Sequence, residues 1–196
     1  MAAAFLPFQP FASQSAVSEI FELMGHSHLD TLRMLDSLHA LAVRLTTDKP
    51  DQTQREEAEK LLAFFSHDVR EHQIDEETHI YPRVLYGADK RLAQQAQELL
   101  AEHDWLEESW MALEPLLSAA ARGTGRIGSR ELFYAVEVFI DIYKDHIALE
   151  ERFIYPVARA AIPAPLAGQI GRSIMQRRLA RQKRGATAVS GPRLVA

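Results

Sequence analysis

The chain spells one eleven-residue pattern twice. Residues 72–82 read His72-Gln-Ile-Asp-Glu76-Glu-Thr-His-Ile-Tyr-Pro82, and residues 146–156 read His146-Ile-Ala-Leu-Glu150-Glu-Arg-Phe-Ile-Tyr-Pro156. The shared part is H-x3-E-E-x2-I-Y-P at an offset of 74 residues, and a further pair, His28 and His103, recurs at an offset of 75. Within each copy the glutamate follows the histidine by four residues, one turn along the same face of a helix. Such a repeat predicts two copies of one helical hairpin related by a pseudo-two-fold axis.

Apolar spacing supports helices throughout. Ile20, Leu23, Met24, Leu32, Leu35, Leu38, Leu41 and Leu45 fall at three- and four-residue steps, so a first helix is expected from about Val17 to Thr46. Ser15 or Ser18 offers a cap, and the run TTDKP stops it. A second helix is expected from Asp51 or Thr53, with capping-box spacing at Thr53–Glu56, to Tyr86, where Gly87 ends it. A third runs from Asp89 to Ala121 with Pro115 inside, closed by RGTGRIG, and a fourth runs from a Ser129 cap to Ala161. Strand-like alternation is missing. The chain reads as all-α, an up-down-up-down four-helix bundle over residues 17–162, with an N-terminal arm at 1–16. The basic tail at 163–196 has room for a short fifth helix with a narrow stripe of Leu166, Ile170, Ile174 and Met175. Residues 186–196 read as a disordered end.

Counting outward from the loops puts the repeated residues at one height. With loop centres near residues 50 and 125, His28 and His72 lie 22 residues from the first, and His103 and His146 lie 22 and 21 from the second. At about 1.5 Å per residue the four imidazoles share one level of the bundle to within a few ångströms. Glu76 and Glu150 join them. A buried ionised carboxylate costs several kcal/mol when uncompensated, and two divalent cations would supply that compensation. The simplest account is a two-metal centre on His28, His72, Glu76, His103, His146 and Glu150. Imidazole-rich ligation suits iron, zinc, copper or nickel and not magnesium or calcium. Ferritin-like centres, with a glutamate on two helices and E-x2-H on the others, are more anionic than this one.

These residues, in this order and register, resemble the hemerythrin-like family, also called the HHE cation-binding domain, over about residues 17–161. The resemblance implies a non-haem di-iron centre, two iron ions bridged by the two glutamates with histidines at outer positions. It further implies a partner among oxygen, nitric oxide, peroxide or iron itself. Oxygen carriers of the family have a second histidine on the third helix and an aspartate on the fourth. This chain has His103-x3-Glu107 and Glu150 there, which shifts the expectation from reversible carriage toward a sensing or protective role. Two alternatives stay open: a di-iron oxidoreductase consuming peroxide or nitric oxide, and a metal-stapled interaction protein acting through its basic tail.

Composition narrows the field further. With 47% hydrophobic residues and no cysteine, the chain can bury a core and excludes disulfide frameworks, thiolate metal sites and cysteine nucleophiles. No apolar run is long enough to span a membrane, and the opening residues lack a basic leader, so a cytoplasmic location is expected. The net charge of −5 hides an asymmetry: all 27 acidic residues lie at or before Glu151, and nine basic and no acidic residues follow it. The run Arg177, Arg178, Arg181, Lys183, Arg184 lacks interleaved aromatics and reads as a solvated tail before a nucleic-acid arm.

Other polar residues carry weaker expectations. Glu107 is a seventh-ligand candidate and His26, off the His28 face, a lesser one. His39 reads as structural, His67 with Glu71 as a solvated pair, and His79 as packing or gating. Glu77 and Glu151 read either as acceptors for imidazole N–H groups or as solvated charge. Tyr81 and Tyr155 read as packing within reach of the centre, and the prolines after them as kinks. Trp105, Trp110, Phe64, Phe65, Phe133 and Phe139 are placed in the core.

Overall fold

The computed structural model describes residues 13–45, 50–87, 89–123 and 129–189. All regular structure among them is helical. Helix α1 spans Ser13–Arg44, so it begins inside the stretch read as an arm; residues 1–12 lie outside the described residues. The second rod comprises α2 (Gln52–Ala63), α3 (Val69–Asp75) and α4 (Tyr81–Leu85), joined by π turns at Phe64–Asp68 and Glu76–Ile80. The third is α5 (Lys90–Arg122), which runs through Pro115. The fourth is α6 (Ser129–Leu149), a π turn at Glu150–Ile154, and α7 (Tyr155–Ala161). Helix α8 follows, Ala164–Val189, 26 residues where a short helix was expected.

Local chemistry explains the ends. Asp51 Oδ1 accepts from the Gln54 N–H at 2.8 Å, and Gln54 Oε1 accepts from the Asp51 N–H at 2.9 Å. The capping box is therefore Asp51–Gln54, two residues ahead of the expected Thr53–Glu56, because it satisfies the N–H groups of the first turn of a helix that starts at Gln52. Asp89 caps α5 by accepting from the N–H groups of Arg91 and Leu92. Gly123, with φ of 62°, ends that helix in the left-handed conformation that glycine adopts without a Cβ clash. The loop runs at 46–49 and 124–128 lie outside the described residues.

Two of the π turns sit at equivalent places in the repeat. Proline has no N–H, and its ring crowds the carbonyl four residues back. Ahead of Pro82 and Pro156 the helix widens instead of merely bending: the Tyr81 N–H donates to the Glu76 carbonyl and the Tyr155 N–H to the Glu150 carbonyl. An ordinary α-helix would place Tyr81 about 140° round from Glu76. The wider turn brings Glu76, Ile80 and Tyr81, and likewise Glu150, Ile154 and Tyr155, into the interior together.

Two compact units divide the chain. Leu23–Ala161 holds the four-helix bundle, with α2 and α4 against α5, α5 against α6, and α4 against α7. Its main core includes Leu35, Leu38, Leu41, Leu61, Leu113, Leu117 and Phe139. A fully buried side chain of this kind stabilises by about 1.5–3 kcal/mol. Trp105 departs from the expected core list at 67% exposed, since it lies about 200° round α5 from His103. The other unit, within the described residues, comprises 13–22 and 162–189. Its buried stripe is Ala16, Ile20 and Phe21 on α1 with Ala167, Ile170 and Ile174 on α8, and Met175 is 44% exposed. Among the described residues no helix is long and apolar enough to cross a membrane.

Candidate metal centre

All six residues singled out by the repeat are buried at one level of the bundle, none more than 7% exposed. They form two trios whose ligand atoms lie within 4.8 Å of one another: His28, His72 and Glu76, and His103, His146 and Glu150. Each trio joins an H-x3-E turn to a histidine from the rod that precedes it.

The carboxylates cross between the trios. Glu76 Oε1 lies 3.5 Å from His28 Nε2 and 3.3 Å from His72 Nε2, whereas its Oε2 lies 3.8 Å from His103 Nε2. Glu150 Oε1 lies 3.2 Å from His146 Nε2 and 3.7 Å from His103 Nε2, whereas its Oε2 lies 3.2 Å from His28 Nε2. The phenols cross as well. Tyr155 donates to Glu76 Oε1 at 2.5 Å and Tyr81 donates to Glu150 Oε1 at 2.6 Å. Each tyrosine thus serves the glutamate of the other copy.

An outer ring of carboxylates fixes the imidazoles. Nδ1 of His28 pairs with Glu151, Nδ1 of His103 with Glu77 and Nδ1 of His146 with Glu102, each at 3.0 Å. A neutral imidazole that donates from Nδ1 turns the Nε2 lone pair inward, the orientation a metal needs. Glu77 and Glu151 therefore take the first of their two expected roles. Glu102 carried no signal: the corresponding position in the first half is Ser27, so the repeat does not reveal it. The recurring Tyr-Pro was the available signal for the tyrosines.

The electrostatics reflect this density of charge. Burial alone would lower the His28 pKa, but hydrogen bonds and charge from Glu150 and Glu76 outweigh it and raise it to about 10. The same contest, won by Glu150, Glu77 and Glu76, raises His103 to about 9. Burial also works to lower His146, but Glu150 and Glu102 outweigh it and raise it to about 10. Burial pushes the Glu150 carboxyl up, yet the charge of His146 and hydrogen bonds from His103, His146 and His28 hold it well below the usual carboxylate range. Burial first, then the charges of Glu76 and Glu150, pushes both phenols up, which keeps them protonated donors.

The donor set fits a pair of cations. His103 Nε2 and His146 Nε2 face each other at 3.1 Å, close to the separation of about 3 Å of two nitrogens that share a metal at about 2.1 Å with a near-right angle between them. Glu150 Oε2 is buried, 3.2 Å from His28 Nε2. Four imidazoles and two carboxylates, without sulfur, are ligands for a borderline transition metal.

The remaining candidates fall outside. Glu107 lies 3.9 Å from Arg70 Nη1 with its side chain 48% exposed, so it belongs to neither trio; four residues on from His103, it faces the rim of the bundle. His26 and His67 are exposed, and His67 pairs with the Ala63 carbonyl. His39 pairs with Glu137 at 3.2 Å. Half-buried His79 has its pKa lowered by burial and by Arg83.

The model of the family described as Hemerythrin HHE cation binding domain matches residues 19–158. No curated protein and no solved structure matches the chain.

Proposed function

The chain belongs to the hemerythrin HHE cation-binding family, and from that premise we propose that it is a non-haem di-iron protein. It binds a small ligand, oxygen, nitric oxide or peroxide, or iron itself, in a sensing or protective role. The observation that supports this best is the crossing of Glu76 and Glu150, each with one oxygen beside each trio.

His28, His72 and Glu76 would hold one iron, His103, His146 and Glu150 the other, with both carboxylates shared. Imidazole with carboxylate and no thiolate accommodates iron among other transition metals, and the family membership is what points to iron. Bound iron supplies a Lewis acid with redox capacity. Everything else is the work of this chain's side chains. Tyr81 and Tyr155 hold the shared carboxylates in place by donating to them. Glu77, Glu102 and Glu151 keep the imidazoles turned inward. Burial of Tyr81, Tyr155, Glu76 and Glu150 excludes bulk water, so the phenol–carboxylate contacts are stronger than they would be at a surface. The departure of Glu107 toward Arg70 supports a role other than reversible oxygen carriage.

Elemental analysis of the untagged protein from iron-replete cells is the test. The expected result is about two irons per chain in the natural protein and none in His72→Ala with His146→Ala. Iron content and thermal stability unchanged in that double variant would refute the reading.

A further inference from the structure

One turn below the metal level a half-open cavity of about 240 Å³ lies between the second rod and α5, with α6 as its floor. Its body is aromatic: Phe65, Trp110 and Phe139 line it. An apolar cavity of about 150 Å³ is enough for benzene, so this one exceeds what a diatomic gas needs. Arg70 and exposed Glu107 lie at its rim.

Two polar side chains face the end nearest the metal level. Gln73, next to His72, is 5% exposed, and Tyr143, one turn before His146, is 6% exposed; both line the cavity. Among the described residues neither the Gln73 carboxamide nor the Tyr143 hydroxyl has a hydrogen-bond partner. Both groups border the space of the pocket, so a ligand or water there can pair with them. Burial, then the charges of Glu76 and Glu150, raises the Tyr143 pKa, so the phenol is a neutral donor close to the shared carboxylates. The pair also breaks the symmetry of the repeat: at an offset of 74 residues Gln73 corresponds to Ile147, and Tyr143 to Val69. Each copy therefore carries one hydrogen-bonding and one aliphatic residue at these two positions, Gln73 with Val69 in the first and Tyr143 with Ile147 in the second.

We propose that this cavity binds an uncharged, ring-sized organic molecule with a hydroxyl or hydroperoxyl head, the head held by Gln73 and Tyr143 and the apolar body held against Phe65, Trp110 and Phe139. The head then lies on the side of the cavity that adjoins Glu76 and Glu150. The binding stands on the cavity alone; its bearing on the metal centre rests on the di-iron reading. Gln73 supplies a donor and an acceptor, and Tyr143 a donor, which matches a group that both gives and takes a hydrogen bond. The aromatic walls select for an apolar body.

Trp110 reports on occupancy directly. In a full-length Trp105→Phe background it is the sole tryptophan, the chain having two, so its emission is followed while phenol, tert-butyl hydroperoxide or toluene is titrated into protein of known metal content. Phenol and the hydroperoxide are expected to change the emission saturably. Tyr143→Phe and Gln73→Leu are each expected to weaken that binding about fivefold, the worth of one neutral hydrogen bond, and to leave toluene binding unchanged. Saturable binding of one headed probe only, weakened in both variants, supports the site and decides between a hydroxyl and a hydroperoxyl head. Absence of saturation with both headed probes, or equal affinity in the natural protein and both variants, overturns the proposal. Phenol binding by protein that takes up no iron keeps the cavity and removes the di-iron reading; iron-loaded protein that binds neither headed probe does the reverse.

Discussion

At the scale of residues, the centre is held by groups that touch no metal. Tyr81 and Tyr155 each donate to a buried carboxylate, and Glu102 accepts from His146. Removing such outer partners typically costs 10–100-fold in metal affinity. Tyr81→Phe and Glu102→Gln are each expected to lower iron retention at least tenfold in competition with a chelator, with the helical circular-dichroism signal unchanged; retention equal to that of the natural protein would deny them that role. Protonation gives a second handle. A metal binds neutral imidazole, and carboxylates raise His28, His103 and His146 to about 10, 9 and 10. At pH 7.5, below all three values, His28 holds a proton in the metal-free protein, and the facing Nε2 atoms of His103 and His146, 3.1 Å apart, share one. Iron loading should therefore release about two protons per chain, counted with an indicator dye in weakly buffered solution. The six ligand candidates were legible from the repeat; Glu102 was not, because its counterpart is Ser27 and a solitary glutamate beside a histidine carries no pattern.

At the scale of elements, most of what the sequence showed concerned where helices lie, and most of what it hid concerned how their turns are wound. The first rod follows from apolar spacing and the other three from their caps and breakers. The box that starts the second rod is subtler, because Asp51-x-x-Gln54 and Thr53-x-x-Glu56 overlap and only the structure tells which is used. Asp51→Ala is expected to cost about 1 kcal/mol in urea denaturation, and Thr53→Ala only a few tenths; the reverse order would restore the later box. The π turns before Pro82 and Pro156 were also unreadable as such, since a missing N–H permits a bend or a wider turn, and the choice depends on what the next residues meet. Here they meet the glutamate of the opposite copy. Pro82→Ala restores an α-helical donor and should let the turn at Glu76–Ile80 relax, moving the Tyr81 hydroxyl away from Glu150. Iron retention should then fall while metal-free stability holds or rises, a split seen by comparing chelator competition with denaturation of stripped protein.

For the molecule as a whole, the crossing of the carboxylates makes the two trios one site. Glu76 and Glu150 each touch both, so Glu76→Gln is expected to reduce iron from about two per chain to well below one. A drop to a clean single iron would mean that the trios are independent. Removing the metal leaves a polar layer in the middle of the bundle and should lower the melting temperature of the natural protein, with recovery on reloading. The pseudo-two-fold axis carries a further consequence. One hairpin holds half the donors and needs an equal hairpin opposite to complete the crossed carboxylate and phenol contacts, so the bundle has the geometry of a homodimer whose subunits have been fused. Fusion fixes the partnership at one to one and frees each half to drift from its twin. Glu102 against Ser27, Gln73 against Ile147 and Tyr143 against Val69 are differences that two copies of a single short chain could never acquire.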